Sequence, residues 1–225
     1  MQFLIKKTGD GFPTLYIPEM DEQYHSLNGA FNESVHVFIR SGYLFNAVSE
    51  PVVLEVGFGT GLNCLITADQ AQKNKRPTTY YTLEKYPVEF SLAEALNYGS
   101  RISEEARQWF SVMHSCPWET MVQINPFFRL FKMQTDITSD LRMPQQAWDV
   151  VYFDAFAPAK QPEMWSPEIF ARIYSGTRNQ GIFVTYSAKG QVRRQLVEAG
   201  FSMERLPGPP GKKEMLRGIK IPSTP

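Results

Sequence analysis

The chain has 225 residues, 43% of them hydrophobic and 13% aromatic, and its 23 basic side chains balance 23 acidic ones. That is too apolar for a disordered chain, and a zero net charge excludes a generic polycation that coats nucleic acid. No apolar run approaches the roughly 18–20 residues of a membrane span, and the start Met1-Gln2-Phe3-Leu4-Ile5-Lys6-Lys7 lacks the apolar stretch of a secretory signal. Cys64 and Cys116 stand far apart without metal-ligand spacing. The expectation is a folded cytoplasmic protein of about one domain, without membrane or metal.

Phe3-Leu4-Ile5 and Thr14-Leu15-Tyr16-Ile17, separated by Gly9-Asp10-Gly11, predict a β-hairpin. From Asn32 to Phe45 the apolar positions Val35, Phe38 and Ile39 predict a helix ending near Gly42. Residues 1–45 read as an extension to a main domain over 46–225. There Val52–Val56 is an apolar run closed by Gly57-Phe58-Gly59-Thr60-Gly61, after which Leu62 to Gln72 resumes helical spacing. Further strands are predicted over Thr79–Leu83, Phe127–Met133, Val150–Phe153 and Gly181–Tyr186, with helices over Val88–Asn97 and Gly190–Ala199, the last capped by Gly200. This alternation specifies an α/β fold with a mostly parallel sheet, because parallel neighbours need crossovers. Phe201–Leu206 and Glu214–Ile219 are joined only by Pro207-Gly208-Pro209-Pro210-Gly211. That link is too short for a crossover and predicts an antiparallel hairpin at the sheet edge.

In such sheets ligands sit beyond the carboxyl ends of the strands, so the first strand-to-helix turn is informative. Here it reads Glu55-Val56-Gly57-Phe58-Gly59-Thr60-Gly61. A dinucleotide site wants GxGxxG, and a phosphate loop wants Gly-Lys-Ser/Thr, which Gly61-Leu62-Asn63 lacks. The turn resembles motif I of the class I S-adenosylmethionine (SAM) methyltransferases, and the fold this implies is their Rossmann-like sheet. The resemblance places Glu55 near the cationic methionine part of the cofactor and wraps Gly57, Phe58, Gly59 and Gly61 around it, with Asn63 following. Glu84, followed by Lys85, ends the second strand 23 residues after Gly61, where a ribose-binding acid is expected. Asp136 ends the third, and the resemblance assigns it the adenine amino group, the alternative being a helix N-cap. Ser26 and Asn28 resemble positions lining the cofactor cleft; a plain Asn-Gly turn is the alternative.

The fourth strand ends in Asp154-Ala155-Phe156-Ala157-Pro158-Ala159-Lys160-Gln161-Pro162-Glu163-Met164-Trp165. This run is similar to the methyltransferase domain of the bacterial bifunctional tRNA-modifying enzyme MnmC. So are Tyr24-His25-Ser26-Leu27-Asn28-Gly29-Ala30 with Glu33, Thr185 to Arg194, and Gly208 to Met215. That resemblance implies SAM-dependent N-methylation of the 5-aminomethyl group of a (2-thio)uridine at the tRNA wobble position. Asp154 would orient the amine and accept its proton, the alternative being a structural acid that binds loop N–H groups. Phe156, Trp165 and Tyr186 would stack on an extruded base. The family often has glycine where this chain has Ala155. The length leaves no room for the FAD-dependent oxidase half of the bifunctional enzyme, so a standalone methyltransferase is expected, whose substrate comes from a separate enzyme. His25 and His36 are too dispersed for a metal site.

From residue 189 to 225 there are eight basic residues against three acids, a net of +5, leaving −5 for the rest. A basic stripe is the footprint of phosphate contacts. Lys189, the Arg193-Arg194 pair, Lys212 and Lys213 are therefore candidate tRNA contacts, together with Lys160 in the loop after the fourth strand. A small-molecule amine or a protein as methyl acceptor, or a non-catalytic SAM- or RNA-binding module, stay open as alternatives.

Overall fold

The computed structural model describes residues 2–139 and 143–222. Leu4–Lys7 (β1) and Pro13–Ile17 (β2) pair antiparallel as the predicted hairpin, and Glu22–Gln23 (β3) adds a short third strand. The helix that follows starts as Ala30–Ser34 (α1) and continues as a π-helical segment, Val35–Tyr43. Its wider winding shows in the Leu44 N–H, which donates five residues back to Ile39 O at 2.8 Å. Gly42 sits in this segment because a Cβ there would stand 3.0 Å from Val184 and 3.3 Å from Tyr152.

The central sheet begins with Val52–Val56 (β4), followed by Leu62–Asn74 (α2), Thr78–Glu84 (β5), Phe90–Leu96 (α3), Glu104–Ser115 (α4), Met121–Asn125 (β6) and Phe128–Gln134 (β7). It continues with Trp148–Phe153 (β8), Pro167–Gly176 (α5), Thr177–Thr185 (β9), Gly190–Ala199 (α6), Ser202–Pro207 (β10) and Glu214–Ile219 (β11). The eight strands lie in the order β10-β11-β9-β8-β4-β5-β7-β6. β4 pairs parallel with both β5 and β8, and β7 and β9 extend the parallel set on either side. The C-terminal hairpin closes one edge antiparallel, as predicted. At the other edge β6 also runs antiparallel, which the sequence did not announce.

In the main domain, two helices and that edge strand are additions to the predicted set. The start signals of the helices are present: Ser103 Oγ accepts from Ala106 N, and Ser166 Oγ accepts from Ile169 N just ahead of Pro167. Strand order reverses at β4, since β5 lies on one side and β8 on the other, which opens a crevice at their carboxyl ends. Two cores flank the sheet. One joins Leu15, Phe38 and Tyr43 of the N-terminal segment to Val53, Leu65 and Tyr80; the other packs Phe153, Trp165, Phe170 and Phe183. No helix among the described residues is long and apolar enough to cross a membrane.

Candidate active site

A cavity of about 460 Å³ opens at the reversal point, roofed by the N-terminal sheet. Its floor is Val56–Thr60 with Glu84, Lys85, Asp136, Asp154 and Phe156, and its roof includes Phe3, Tyr24, His25 and Ser26. The size suits a small-molecule ligand.

The glycine turn is shaped by two close approaches. Gly57 has φ +94°, and a Cβ on it would stand 2.7 Å from Asp154 O. Gly59 has φ +50°, and a Cβ would meet the Tyr24 ring at 3.0 Å. Both backbones need glycine, because a side chain at either would collide with protein already there, and both line the cavity. Two histidines grip the turn at Thr60. His114 Nε2 donates to Thr60 O at 3.1 Å, and His25 sits 3.4 Å from Thr60 Oγ1 while its other ring nitrogen meets Thr14. Burial holds both imidazoles down at about 4, so they are neutral at physiological pH.

Glu84 is aimed by two backbone donors, Gly59 N to Oε2 and Tyr86 N to Oε1, both at 2.9 Å. A carboxylate fixed this way keeps lone pairs for a vicinal diol. Lys85 pairs with Asp136 at 2.8 Å, and that bond, with those from Thr138, holds the Asp136 carboxyl at about 2. Asp136 thus turns the loop locally while it faces the cavity. The glycine turn, the diol-ready acid and a further acid on the next strand fit a nucleoside.

Asp154 lies at the carboxyl end of β8. Asn63, at the start of α2, donates from Nδ2 to Asp154 Oδ2 at 2.8 Å. Burial, and next the charge of Glu33, push the Asp154 carboxyl up to about 7, against the lowering effects of Asn63 and Lys212. Glu33 accepts from Ser26 N at 2.8 Å and from Lys212 Nζ at 2.5 Å. The Lys212 ammonium lies 3.8 Å from the centre of the Tyr186 ring, whose hydroxyl donates to Ala155 O at 2.8 Å. Phe156 meets Tyr24 edge-on at 5.0 Å. A carboxyl that titrates near neutrality beside aromatic rings can take a proton from an amine and release it again.

Most of the expected residues converge here, and some do not. Glu55 is fully buried beneath the turn and is not among the cavity's lining, because β4 is central and its side chain points into the sheet's packing. Gly61 also stays outside the lining: with φ +76° it lets α2 start against His114, 2.8 Å from where a Cβ would be. Trp165 is 3% exposed, packs on Phe153 and donates from Nε1 to Phe156 O, so it is core and cannot stack on a ligand. Lys160 is not part of the cavity's lining; it donates to Met20 O at 2.8 Å, which ties the loop after β8 to the N-terminal segment.

The basic segment is less free than its count implies. Arg205 pairs with Glu214, Arg217 with Glu204, and Lys212 with Glu33. Lys220 is buried and bonds Tyr174 O and Thr177 O. Lys189, Arg193, Arg194 and Lys213 form no salt bridge among the described residues, and none of the four lines the cavity. Of that stripe only Lys212 does. The sequence puts Tyr24 and Glu33 in the N-terminal matching segment without a role for either; their contacts with Phe156 and Lys212 join segments far apart in the chain.

Residues 103–221 match a family model described as S-adenosyl-L-methionine-dependent methyltransferase. Among curated relatives, the tRNA 5-methylaminomethyl-2-thiouridine biosynthesis bifunctional protein MnmC of Pseudomonas entomophila is 31% identical over 89% of this chain. That of Pseudomonas aeruginosa strain PAO1 is 33% identical over 87%. The matched part spans 33% and 32% of those two proteins, so the chain covers about a third of their length. Among solved structures, MnmC2 from Aquifex aeolicus superposes with a TM-score of 0.76 at 23% identity, over 100% of this chain and 72% of that one. A spermidine synthase from Thermotoga maritima shares the fold at a TM-score of 0.54 and 11% identity, over 96% of this chain and 71% of its own.

Proposed function

The chain belongs to the S-adenosyl-L-methionine-dependent methyltransferases, and on that premise we propose that it N-methylates the 5-aminomethyl group of a wobble uridine in tRNA. The observation that carries the reading is Asp154, a cavity-lining carboxyl pushed up to about 7 and held by Asn63. The choice of acceptor is supported by the names of the curated relatives.

The bound cofactor supplies an electrophilic methyl on sulfur. Gly57 and Gly59 would let the backbone approach it, Glu84 would take its ribose hydroxyls and Asp136 would meet its base. Asp154 accepts a proton from the substrate's ammonium, which frees the nitrogen lone pair. Methyl transfer to that nitrogen would break the methyl–sulfur bond and give a protonated secondary amine, the proton taken earlier staying on Asp154. Alignment of nitrogen with that bond would supply much of the acceleration, and Phe156 and Tyr186 would hold the flat base beside Asp154. Lys189, Arg193, Arg194 and Lys213 would take phosphates, and a separate activity would supply the free aminomethyl group.

The test is purified protein with SAM and tRNA that carries 5-aminomethyluridine at the wobble position. One methyl should appear on that nucleoside by mass spectrometry. Methylation of a free amine or a protein, with the tRNA untouched, would replace this reading by one of the other acceptors.

A further inference from the structure

His25 and its neighbours Tyr24 and Ser26 line the roof of the cavity, and the chemistry at Asp154 leaves the histidine without a task. Its ring is buried between the N-terminal sheet and the glycine turn. One nitrogen, Nδ1, lies 3.2 Å from Thr14 Oγ1 on β2; the other, Nε2, lies 3.4 Å from Thr60 Oγ1 in the turn. Tyr98, fully buried and tied by its hydroxyl to Pro13 O, meets the ring edge-on at 6.2 Å.

Thr14 settles which nitrogen carries the proton. Its side chain is fully buried, and its oxygen already accepts the His25 backbone N–H at 3.0 Å. The hydroxyl proton needs an acceptor of its own, and among the described residues the structure gives it one, His25 Nδ1. A ring protonated at Nδ1 would leave that hydroxyl proton without a partner. Nδ1 therefore accepts and Nε2 carries the ring proton, with Thr60 Oγ1 as its acceptor at 3.4 Å. A neutral ring is also what burial favours, holding it down at about 4.

Thr60 is a sensitive place to hold. It follows Gly59, whose N–H aims Glu84 at 2.9 Å, and it precedes Gly61, which stands at the head of α2. Its carbonyl is fixed from α4 by His114 at 3.1 Å, and its hydroxyl from β2 through His25. We propose that His25 is a positioning residue for the cofactor: as the Nε2–H tautomer it pins the glycine turn to the N-terminal sheet, so that Gly59 and Glu84 keep their places beneath the roof when SAM binds. The inference rests on SAM as the cofactor and not on which amine is methylated. A histidine that merely filled space would depend on its ring, and not on which of its atoms faces Thr60.

The experiment uses the full-length protein and two amides that each copy one half of the imidazole. His25→Gln reaches the Nε2 position and keeps a donor for Thr60; His25→Asn ends at the Nδ1 position, keeps an acceptor for Thr14 and loses Thr60. Both give up the ring's packing, so both should melt below the wild type. The Kd for SAM by calorimetry separates them: His25→Gln should stay within about twofold of the wild type, and His25→Asn should be weaker by about threefold to tenfold, the range that one net hydrogen bond covers. Thr60→Ser and Thr60→Val repeat the comparison from the other side of the bond. Serine should keep the affinity and valine lose it, and in Thr60→Val the two His25 variants should no longer differ. With the wild type binding SAM, equal Kd values for the Gln and Asn variants, or for Ser and Val, would reduce His25 to packing and overturn the proposal. If either His25 variant does not fold, the Thr60 pair decides. A wild type that does not bind SAM would overturn this proposal together with the cofactor behind the proposed function, so the two failures are told apart. None of these measurements involves RNA.

Discussion

Replacing Glu33 with Gln removes a negative charge from beside Asp154 while keeping an acceptor for the Ser26 N–H. The Glu33 side chain is 8% exposed and Lys212, its partner, 31%. A charged hydrogen bond contributes about 1.5–3 kcal/mol; the Lys212 ammonium can turn to water, so the net loss should be about 1–2 kcal/mol. For a chain of this size that is a drop in Tm of roughly 2–8 °C. The catalytic signature is separate. The Glu33 charge is the second cause, after burial, that raises Asp154 to about 7, and Lys212 opposes it. Losing Glu33 and keeping Lys212 must lower the Asp154 value. The protonated, inactive form then appears at lower pH, and the acid limb of kcat/KM, which reports the free enzyme's base, moves below about 7. The assay is methyl transfer from SAM to aminomethyl-bearing tRNA across the pH range, with melting curves on the same protein. An acid limb that stays put or moves up would refute the assignment of Asp154 as the base tuned by Glu33.

Asp154→Asn should lower kcat by about 10²–10⁴ and leave the melting temperature near that of the wild type, as read by single-turnover methyl transfer. Gly57→Ala puts a Cβ 2.7 Å from Asp154 O at φ +94°; strain of about 1–3 kcal/mol should show as a lower Tm together with weakened SAM binding by calorimetry. Arg193→Ala with Arg194→Ala should reduce the slope of log affinity for tRNA against log salt by about 1 for each phosphate no longer neutralised, whereas Arg205→Ala, which breaks only the pair with Glu214, should not.

The parallel strands were legible because strands covered on both faces read as short apolar runs; Val52–Val56 and Val150–Phe153 are of this kind. The edge strand β6 was not, since Met121 and Gln123 face solvent and break that pattern. α4 and α5 carried readable starts in Ser103 and in Ser166-Pro167 but no long apolar run to draw attention to them. Within the site, the glycine turn, Glu84 and Asp154 could be read from spacing and strand ends. The Glu33–Lys212 pair could not, because its partners are 179 positions apart and only the fold brings them together. Trp165 shows the opposite failure: an aromatic in a loop motif invites a ligand, and packing alone decides that it is core.

The cavity's lining runs from Phe3 to Lys212 in the sequence. Its roof is synthesised before its floor, and the lysine that ties Glu33 follows both. Domains fold as their chain emerges, so the glycine turn and Asp154 exist well before the pocket they serve is closed. Binding in the closed pocket therefore waits until Lys212 has been made. A ligand that binds only the finished pocket would add its stabilisation to the native state and act as a check that residue 212 has found residue 33.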